Sequence, residues 1–93
     1  MHNVSSETKQ LIRLGKEEGL INEQIYFLLA LRKVENGGKG NEFNVKAVLG
    51  TDIKEQAGWA ICSIKKNYKR WQEYILSQSH IDFSSFFAYF GGP

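Results

Sequence analysis

Residues 52–75, DIKEQAGWAICSIKKNYKRWQEYI, decide the fold class of this chain. Their apolar side chains recur mostly three and four residues apart, which predicts one apolar stripe along a helix of about six turns. The stripe consists of Ile53, Ala57, Ala60, Ile61, Ile64, Tyr68, Trp71 and Ile75. Thr51 or Asp52 caps this helix, and Asp52 with Glu55 resembles a capping box that uses aspartate. A mainly helical protein is therefore predicted.

Three shorter helices are predicted around this long one. Ser5 or Ser6 caps a first helix, which is half exposed and ends at Gly19. Asn22 begins a second helix, and because it is apolar nearly all round we expect it to be the buried one. Asp82 caps a last short helix, whose four phenylalanines form an aromatic face.

A glycine-rich segment, ENGGKGN at residues 35–41, separates the second helix from the third. Its three glycines and two asparagines forbid continuation of the helix and favour turns with positive φ. Residues 42–49 then alternate weakly between polar and apolar, which predicts a short irregular β-hairpin. The expected fold class is thus mainly α (α+β), a small helical domain with a short glycine-rich β-hairpin between the second and third helices.

Length and composition limit the classes of protein that this chain can be. Ninety-three residues are enough for one domain, so residues 1–93 are predicted to form a single domain. Hydrophobic residues at 42% and charged residues at 24% are typical of a globular protein. The formal charge of +2 is too small to indicate nucleic-acid binding by itself.

Cysteine and histidine are too rare for a protein that disulfide bonds or a metal ion hold together. Cys62 is the single cysteine, so no intramolecular disulfide can form, and two histidines add no cluster with zinc-ligand spacing. We therefore expect no metal and no cofactor. Residues 1–7 lack the pattern of a signal peptide, and the apolar run 25–31 is far too short to span a membrane. Synthesis in a cytoplasm is expected.

Glu35 is the residue best suited to chemistry, because it ends an apolar helix directly before the glycine-rich segment. The negative end of the helix dipole and partial burial both disfavour a charged carboxylate, as a general acid near neutral pH requires. The neighbouring glycines leave room for a bulky substrate near the backbone. A solvated glutamate at a helix end is the alternative, and position alone favours it.

The stretch LALRKVENGGKGNEFNV, residues 29–45, looks like the ALRxxENGGPGxEFGV segment of small phage-encoded proteins of the lysozyme-like superfamily, which resemble lytic transglycosylases and goose-type lysozymes. Residues 56–71 resemble the following helix of that family, and residues 82–93 resemble its DFIxFLxxRYAP segment. Lys39 replaces the usual proline, and Asn44 stands where glycine is common. Family members continue beyond the end of this chain, so the resemblance implies a lysozyme-like domain that is truncated or minimal.

The resemblance also implies a reaction. The catalytic acid of the superfamily is the glutamate that ends a buried helix before a short hairpin, and Glu35 is the matching position. It would protonate the glycosidic oxygen between N-acetylmuramic acid and N-acetylglucosamine, and in transglycosylases the same glutamate later acts as base. Hydrolysis would need a second carboxylate, about 5–5.5 Å away for retention or about 6.5–9.5 Å away for inversion. Glu42 is a better candidate than Asp52 for this role, although it suits a structural hydrogen-bond acceptor as well.

The glycine-rich segment and one aromatic residue are expected to contact the glycan. Trp59 lies off the apolar stripe, where its ring can stack on a sugar. The candidate substrate-binding residues are Asn36, Gly37, Gly38, Asn41, Phe43, Asn44, Val45 and Trp59. The expected partner is a peptidoglycan glycan strand in the bacterial cell wall, reached through phage lysis or delivery within a virion, and a monomer is expected.

Two other functions stay open. The first is a non-catalytic module that binds glycan or serves as a structural part of a virion. The second is a small helical protein that binds nucleic acid through a basic cluster on the third helix. This cluster comprises Lys65, Lys66, Lys69 and Arg70. A solvated helix face explains the cluster more simply, so nucleic acid is the less favoured partner.

Overall fold

A computed structural model describes residues 5–35 and 37–91 of the chain. Four α-helices follow one another, with one turn of 3₁₀ helix, Lys46–Val48, between the second and the third. The helices are α1 (Ser6–Glu17), α2 (Asn22–Glu35), α3 (Ile53–Ser77) and α4 (Phe83–Phe90). All four predicted helices are therefore confirmed. None of the helices within the described ranges has both the length and the apolarity needed to cross a membrane.

The helices begin where their caps were predicted. The Ser5 hydroxyl accepts a hydrogen bond at 3.1 Å from the amide three residues later. Asp52 Oδ1 and Asp82 Oδ1 do the same at 3.0 and 2.7 Å. Each bond satisfies one of the N–H groups that a helix start leaves without a partner. Gly19, at a φ of 81°, follows α1 and lets the chain turn into α2.

The centre of the core is the predicted apolar stripe of α3. The buried residues of this helix are Gln56, Ala57, Ala60, Ile61, Ile64 and Asn67. Their apolar members pack in one cluster with Leu11 of α1, Leu28 of α2 and Phe83 of α4. Trp71 extends the cluster toward α4, because its indole N–H donates to the Ile81 carbonyl at 2.7 Å.

The expectation that α2 is the buried helix is wrong. Only Gln24, Ile25 and Leu28 are buried in α2, whereas Tyr26 is 68% exposed and Val34 is 78% exposed. Helices α1 and α3 pack against α2, and Phe27 of α2 contacts the Phe83 and Phe87 rings of α4 at centroid distances of 4.8 and 4.9 Å, yet these neighbours leave Tyr26 and Val34 uncovered. An apolar surface favours burial but does not specify which neighbour will cover it.

The predicted β-hairpin is also absent, and the α+β class is wrong: the described residues are helical and contain no strand. Residues 37–51 form a series of turns, which we call the glycine loop. One backbone hydrogen bond, from Gly50 N–H to the Gly40 carbonyl at 2.8 Å, joins the two halves of the glycine loop. Other backbone groups of this loop bond to the Gln56 side chain of α3 instead of to a second strand. Because a side chain supplies these partners, no strand ladder is needed to satisfy them.

Candidate functional site

Glu35 is the last residue of α2 and is half-buried. Asn36, the next candidate residue, lies outside the described residues. The glycine loop begins two residues later, at Gly37, so Glu35 marks the end of α2 that leads into this loop. This placement is the one that the sequence predicted for Glu35.

Gln56 holds the glycine loop from the side of α3. Its side chain is completely buried, and its Oε1 accepts hydrogen bonds from the Phe43 and Val45 N–H groups at 3.1 and 3.2 Å. Its Nε2 donates to the carbonyls of Gly40 and Val45 at 3.1 Å and of Val48 at 3.2 Å. One side chain thus bonds to both halves of the loop.

Arg32 holds the loop from the side of α2. Its Nη1 donates to the backbone carbonyl of Glu42 at 3.4 Å. Its Nε and Nη2 donate to the two carboxylate oxygens of Glu7 in α1, at 2.7 and 3.4 Å. Arg32 lies three residues before Glu35, so these contacts join α1 and the glycine loop to the end of α2 that carries Glu35.

Glu42, the candidate second carboxylate, is buried inside the loop. Its side chain is 5% exposed, and Oε2 accepts a hydrogen bond from the Gly40 N–H at 3.1 Å. Its Oε1 has no hydrogen-bond partner among the residues that the structure describes, and neither does Asn41 Oδ1. A buried acceptor without a donor is unfavourable, so both oxygens suit an ordered water or a donor group of a ligand. A carboxylate that is closed off from solvent is poorly placed to activate an attacking water.

Two glycines let the loop pack against itself. A Cβ on Gly37 would lie 1.8 Å from the Asn41 carbonyl oxygen, closer than any side chain allows. Gly40 has a φ of 81°, and a Cβ there would lie 3.1 Å from the Gly50 Cα. Gly38, at a φ of 77°, faces open space. Thus Gly37 and Gly40 serve the close approach of the chain to itself, whereas Gly38 has open space beside it.

The remaining candidate residues differ in how much they offer to a ligand. The Phe43 side chain is 6% exposed and packs in the core, so only its backbone belongs to the loop surface. Val45 is half-buried against the same core. Asn44 is exposed, has a φ of 57° and accepts a hydrogen bond from Asn41 Nδ2 at 3.3 Å. Trp59 presents a 48% exposed indole on the outer face of α3.

One groove of about 680 Å³ runs between α1 and α2 past Arg32, and another of about 450 Å³ runs between α2 and α4. Neither Glu35 nor Glu42 lines these two grooves. These two grooves share Ala30 on the exposed side of α2. In the described ranges, no three histidine, cysteine or acidic side chains come together as a metal site would require.

The basic cluster of α3 is only partly available to a partner. Lys65, Lys66 and Lys69 are exposed. Arg70, however, donates to Asn67 Oδ1 at 2.8 Å, and its guanidinium lies over the Phe86 ring, 5.9 Å from the centroid. Three lysines on a helix surface are typical of a solvated face.

Sequence reasoning missed Gln56 and Arg32 as determinants of the site. For Gln56 a signal was present, because it lies three residues after Ile53 and four before Ala60, within the apolar stripe. A polar residue on a core-facing stripe needs hydrogen-bond partners in the interior. Arg32 shares the helix face of Leu28, but nothing local identifies its partner, since Glu7 is 25 residues away in the chain.

The motif from Glu35 through Val45 is the sequence feature that points to a particular chemistry, and its residues occupy one helix end and the loop behind it. Neither protein-family models nor searches of curated proteins and solved structures produced a match to this chain. The resemblance to the lysozyme-like superfamily therefore stays a prediction from sequence.

Proposed function

We propose that this protein cleaves the glycan strand of peptidoglycan between N-acetylmuramic acid and N-acetylglucosamine, with Glu35 as the general acid. The observation that carries the proposal is the position of Glu35, half-buried at the end of α2 beside the glycine loop. Resemblance of residues 29–45 to the lysozyme-like superfamily supplies the substrate class. The proposal includes the route by which the protein reaches the cell wall, which is phage lysis or delivery within a virion.

A single carboxyl group suffices for the proposed reaction. The Glu35 carboxyl donates its proton to the glycosidic oxygen as the bond from that oxygen to C1 of the muramic sugar breaks. The 6-hydroxyl oxygen of the same sugar then bonds to C1, and the Glu35 carboxylate accepts the hydroxyl proton. The product is a 1,6-anhydro sugar, and Glu35 returns to its starting protonation state.

The burial of Glu42 favours this transglycosylase route over hydrolysis. Hydrolysis through a second carboxylate requires that group to face the sugar ring or a water beside it. Glu42 instead turns one oxygen into its own loop, toward Gly40, and is 5% exposed. Glu42 is accordingly proposed as a structural acceptor of the glycine loop.

Two exposed residues of the glycine loop and one of α3 are proposed to contact a glycan. Gly38 leaves open space beside the backbone, and the exposed Asn44 carries an amide that can bond to sugar hydroxyl or acetamido groups. Trp59 provides an exposed ring, and flat aromatic rings stack on the apolar faces of sugars. Gly38, Asn44 and Trp59 are the proposed substrate contacts, because each has its backbone or its side chain open to solvent.

Digestion of purified peptidoglycan tests the proposal. Wild type should release anhydro-muropeptides, which mass spectrometry separates from reducing-end products because they lack one water. Glu35→Gln should reduce the rate by about 10²- to 10⁴-fold, since the amide cannot donate a proton to the leaving oxygen. Glu42→Gln is the matched control and should keep the anhydro product. Equal rates for wild type and Glu35→Gln would refute the role of Glu35, and reducing-end products that vanish in Glu42→Gln would establish hydrolysis.

A non-catalytic glycan-binding module is the second candidate. The observations that favour it are the exposed Asn44 side chain and the exposed Trp59 ring, which suit glycan binding and require no reaction. Such a module would co-sediment with peptidoglycan, release no product and bind equally well as Glu35→Gln. Detectable turnover by wild type would exclude it.

A further inference from the structure

We propose that Gln56 is the positioning residue of the candidate site, which places the substrate-binding face of the glycine loop beside Glu35. The inference rests on the proposed function, because it assigns to Gln56 a part in binding the same glycan. Gln56 itself is completely buried and touches no substrate. Its effect must therefore act through the loop.

The hydrogen-bonding capacity of the Gln56 amide is fully used. Its Oε1 accepts from two backbone N–H groups, those of Phe43 and Val45, at 3.1 and 3.2 Å. Its Nε2 has two hydrogens and lies 3.1–3.2 Å from the carbonyls of Gly40, Val45 and Val48, so one hydrogen is shared between acceptors. A side chain with both an acceptor and a two-hydrogen donor is required to make all of these bonds.

Apart from the bonds to Gln56, few hydrogen bonds hold the loop in place. Its remaining backbone bonds join residues three apart, such as Asn44 N–H to the Asn41 carbonyl at 3.0 Å, and these shape turns without anchoring them. Two bonds reach further: Gly50 to Gly40 within the loop, and Arg32 to the Glu42 carbonyl at 3.4 Å. Gln56 supplies more long-range bonds to the glycine loop than these two together. Loss of its amide should leave the loop held by Arg32, by the Gly50–Gly40 bond and by the packing of Phe43 and Val45 against the core.

Two variants separate the effect of the Gln56 hydrogen bonds from the effect of the side chain's volume. Gln56→Leu keeps a similar volume and removes every hydrogen bond. Gln56→Glu keeps the acceptor but turns a carboxylate oxygen toward the three carbonyl oxygens that now receive Nε2. This arrangement is repulsive, so the introduced carboxyl should bind a proton above the ordinary glutamate value of about 4.3. Once protonated it can donate one hydrogen bond again.

The matched control is Asn67→Asp, which changes a second completely buried amide of α3 to an acid. Asn67 donates to the Ser63 carbonyl at 2.8 Å and accepts from Arg70 at 2.8 Å. If the Gln56 variants act through general damage to the core, Asn67→Asp should have the same effects. If they act by misplacing the glycine loop, Asn67→Asp should behave like wild type.

The test measures amide hydrogen exchange and steady-state kinetics on the full chain. At about pH 7 both Gln56 variants should lower the protection factors of the Phe43 and Val45 amides at least about tenfold. In Gln56→Glu the protection should return as the pH falls, and in Asn67→Asp it should match wild type throughout. On peptidoglycan fragments the Gln56 variants should raise KM at least about tenfold and leave kcat within about threefold, because Glu35 is unchanged.

The outcomes separate this inference from the proposed function. Unchanged protection of Phe43 and Val45, or an unchanged KM, would overturn the role of Gln56 while wild-type turnover still supports the reaction. A wild type without turnover would overturn the reaction, and with it any part of Gln56 in that reaction. If Gln56→Leu fails to fold, Gln56→Glu at low pH decides, because its protonated form can still donate to the loop.

Discussion

The contact between Glu7 and Arg32 should make a measurable contribution to stability. It joins α1 to α2, since Arg32 Nε donates to Glu7 Oε1 at 2.7 Å and Nη2 donates to Oε2 at 3.4 Å. We expect Glu7→Gln and Arg32→Gln each to lower the free energy of unfolding, and the double variant to lower it by less than the sum of the two. The difference from that sum is the coupling energy of the pair.

The magnitude follows from the distance and the exposure. Two unit charges 2.7 Å apart attract by about 1.5 kcal/mol at the dielectric constant of water. Ordering two long side chains opposes part of this attraction, and exposed pairs couple by about 0.2–1 kcal/mol. Because the side chains are 19% exposed for Arg32 and 39% for Glu7, we place the coupling near the upper end, at about 1 kcal/mol. Arg32→Gln also loses the bond to the Glu42 carbonyl, worth about 1 kcal/mol, so its total cost should be about 2 kcal/mol.

Urea unfolding of wild type, both single variants and the double variant measures the coupling. A cost of about 1 kcal/mol corresponds to a shift in Tm of about 4–8 °C for a domain of this size. Salt at about 1 M should reduce the coupling, because it screens the charges. Lys9→Gln, which alters an exposed lysine of α1, is the control and should change stability by less than about 0.5 kcal/mol. Additive effects at low salt, with a coupling below about 0.3 kcal/mol, would show that the pair does not hold α1 and α2 together.

Two further predictions concern pH. Burial and the hydrogen bond to Glu23 raise the pKa of Tyr68 above 10.0, so its contribution to stability is complete below about pH 10 and is lost as the pH rises through the raised value. Tyr68→Phe should remove this alkaline loss in urea unfolding, and an identical alkaline profile in both proteins would contradict the assignment. Hydrogen bonds from Ser85 lower the pKa of the capping Asp82 below 3.8, so its contribution is present above that value and is lost as the pH falls through the lowered one. Asp82→Asn keeps the oxygen that caps α4 but has no carboxyl group to titrate. The Trp71 fluorescence of this variant should therefore not show the acid transition of wild type. The same transition in both proteins would refute a role for Asp82.

The helix boundaries were predictable because local interactions determine them. The caps at Ser5, Asp52 and Asp82 bond to an amide only three residues away, and the stripe of α3 follows from helical spacing alone. Glu35 was placed correctly at a helix end for the same reason, since the glycines behind it forbid another turn of helix.

The predicted hairpin failed because the local pattern behind it was weak. Residues 42–49 alternate only in part, and the partners of their backbone groups come from α3, more than ten residues away for Phe43 and Val45. A ladder and a buried amide can satisfy the same groups, and the pattern of polar and apolar residues does not choose between them.

The amino-acid sequence by itself determined where the four helices begin and end and that Glu35 closes the second of them, because caps and periodicity act over one or two turns. Only the tertiary structure decided which side of α2 is covered, that the glycine loop has no strands, and that Glu42 turns inward. These outcomes depend on Arg32 and Gln56, whose partners are up to 25 residues distant in the chain. The apolar stripe signals that Gln56 is buried, but the partners of Gln56 and Arg32 are fixed only after the helices have packed.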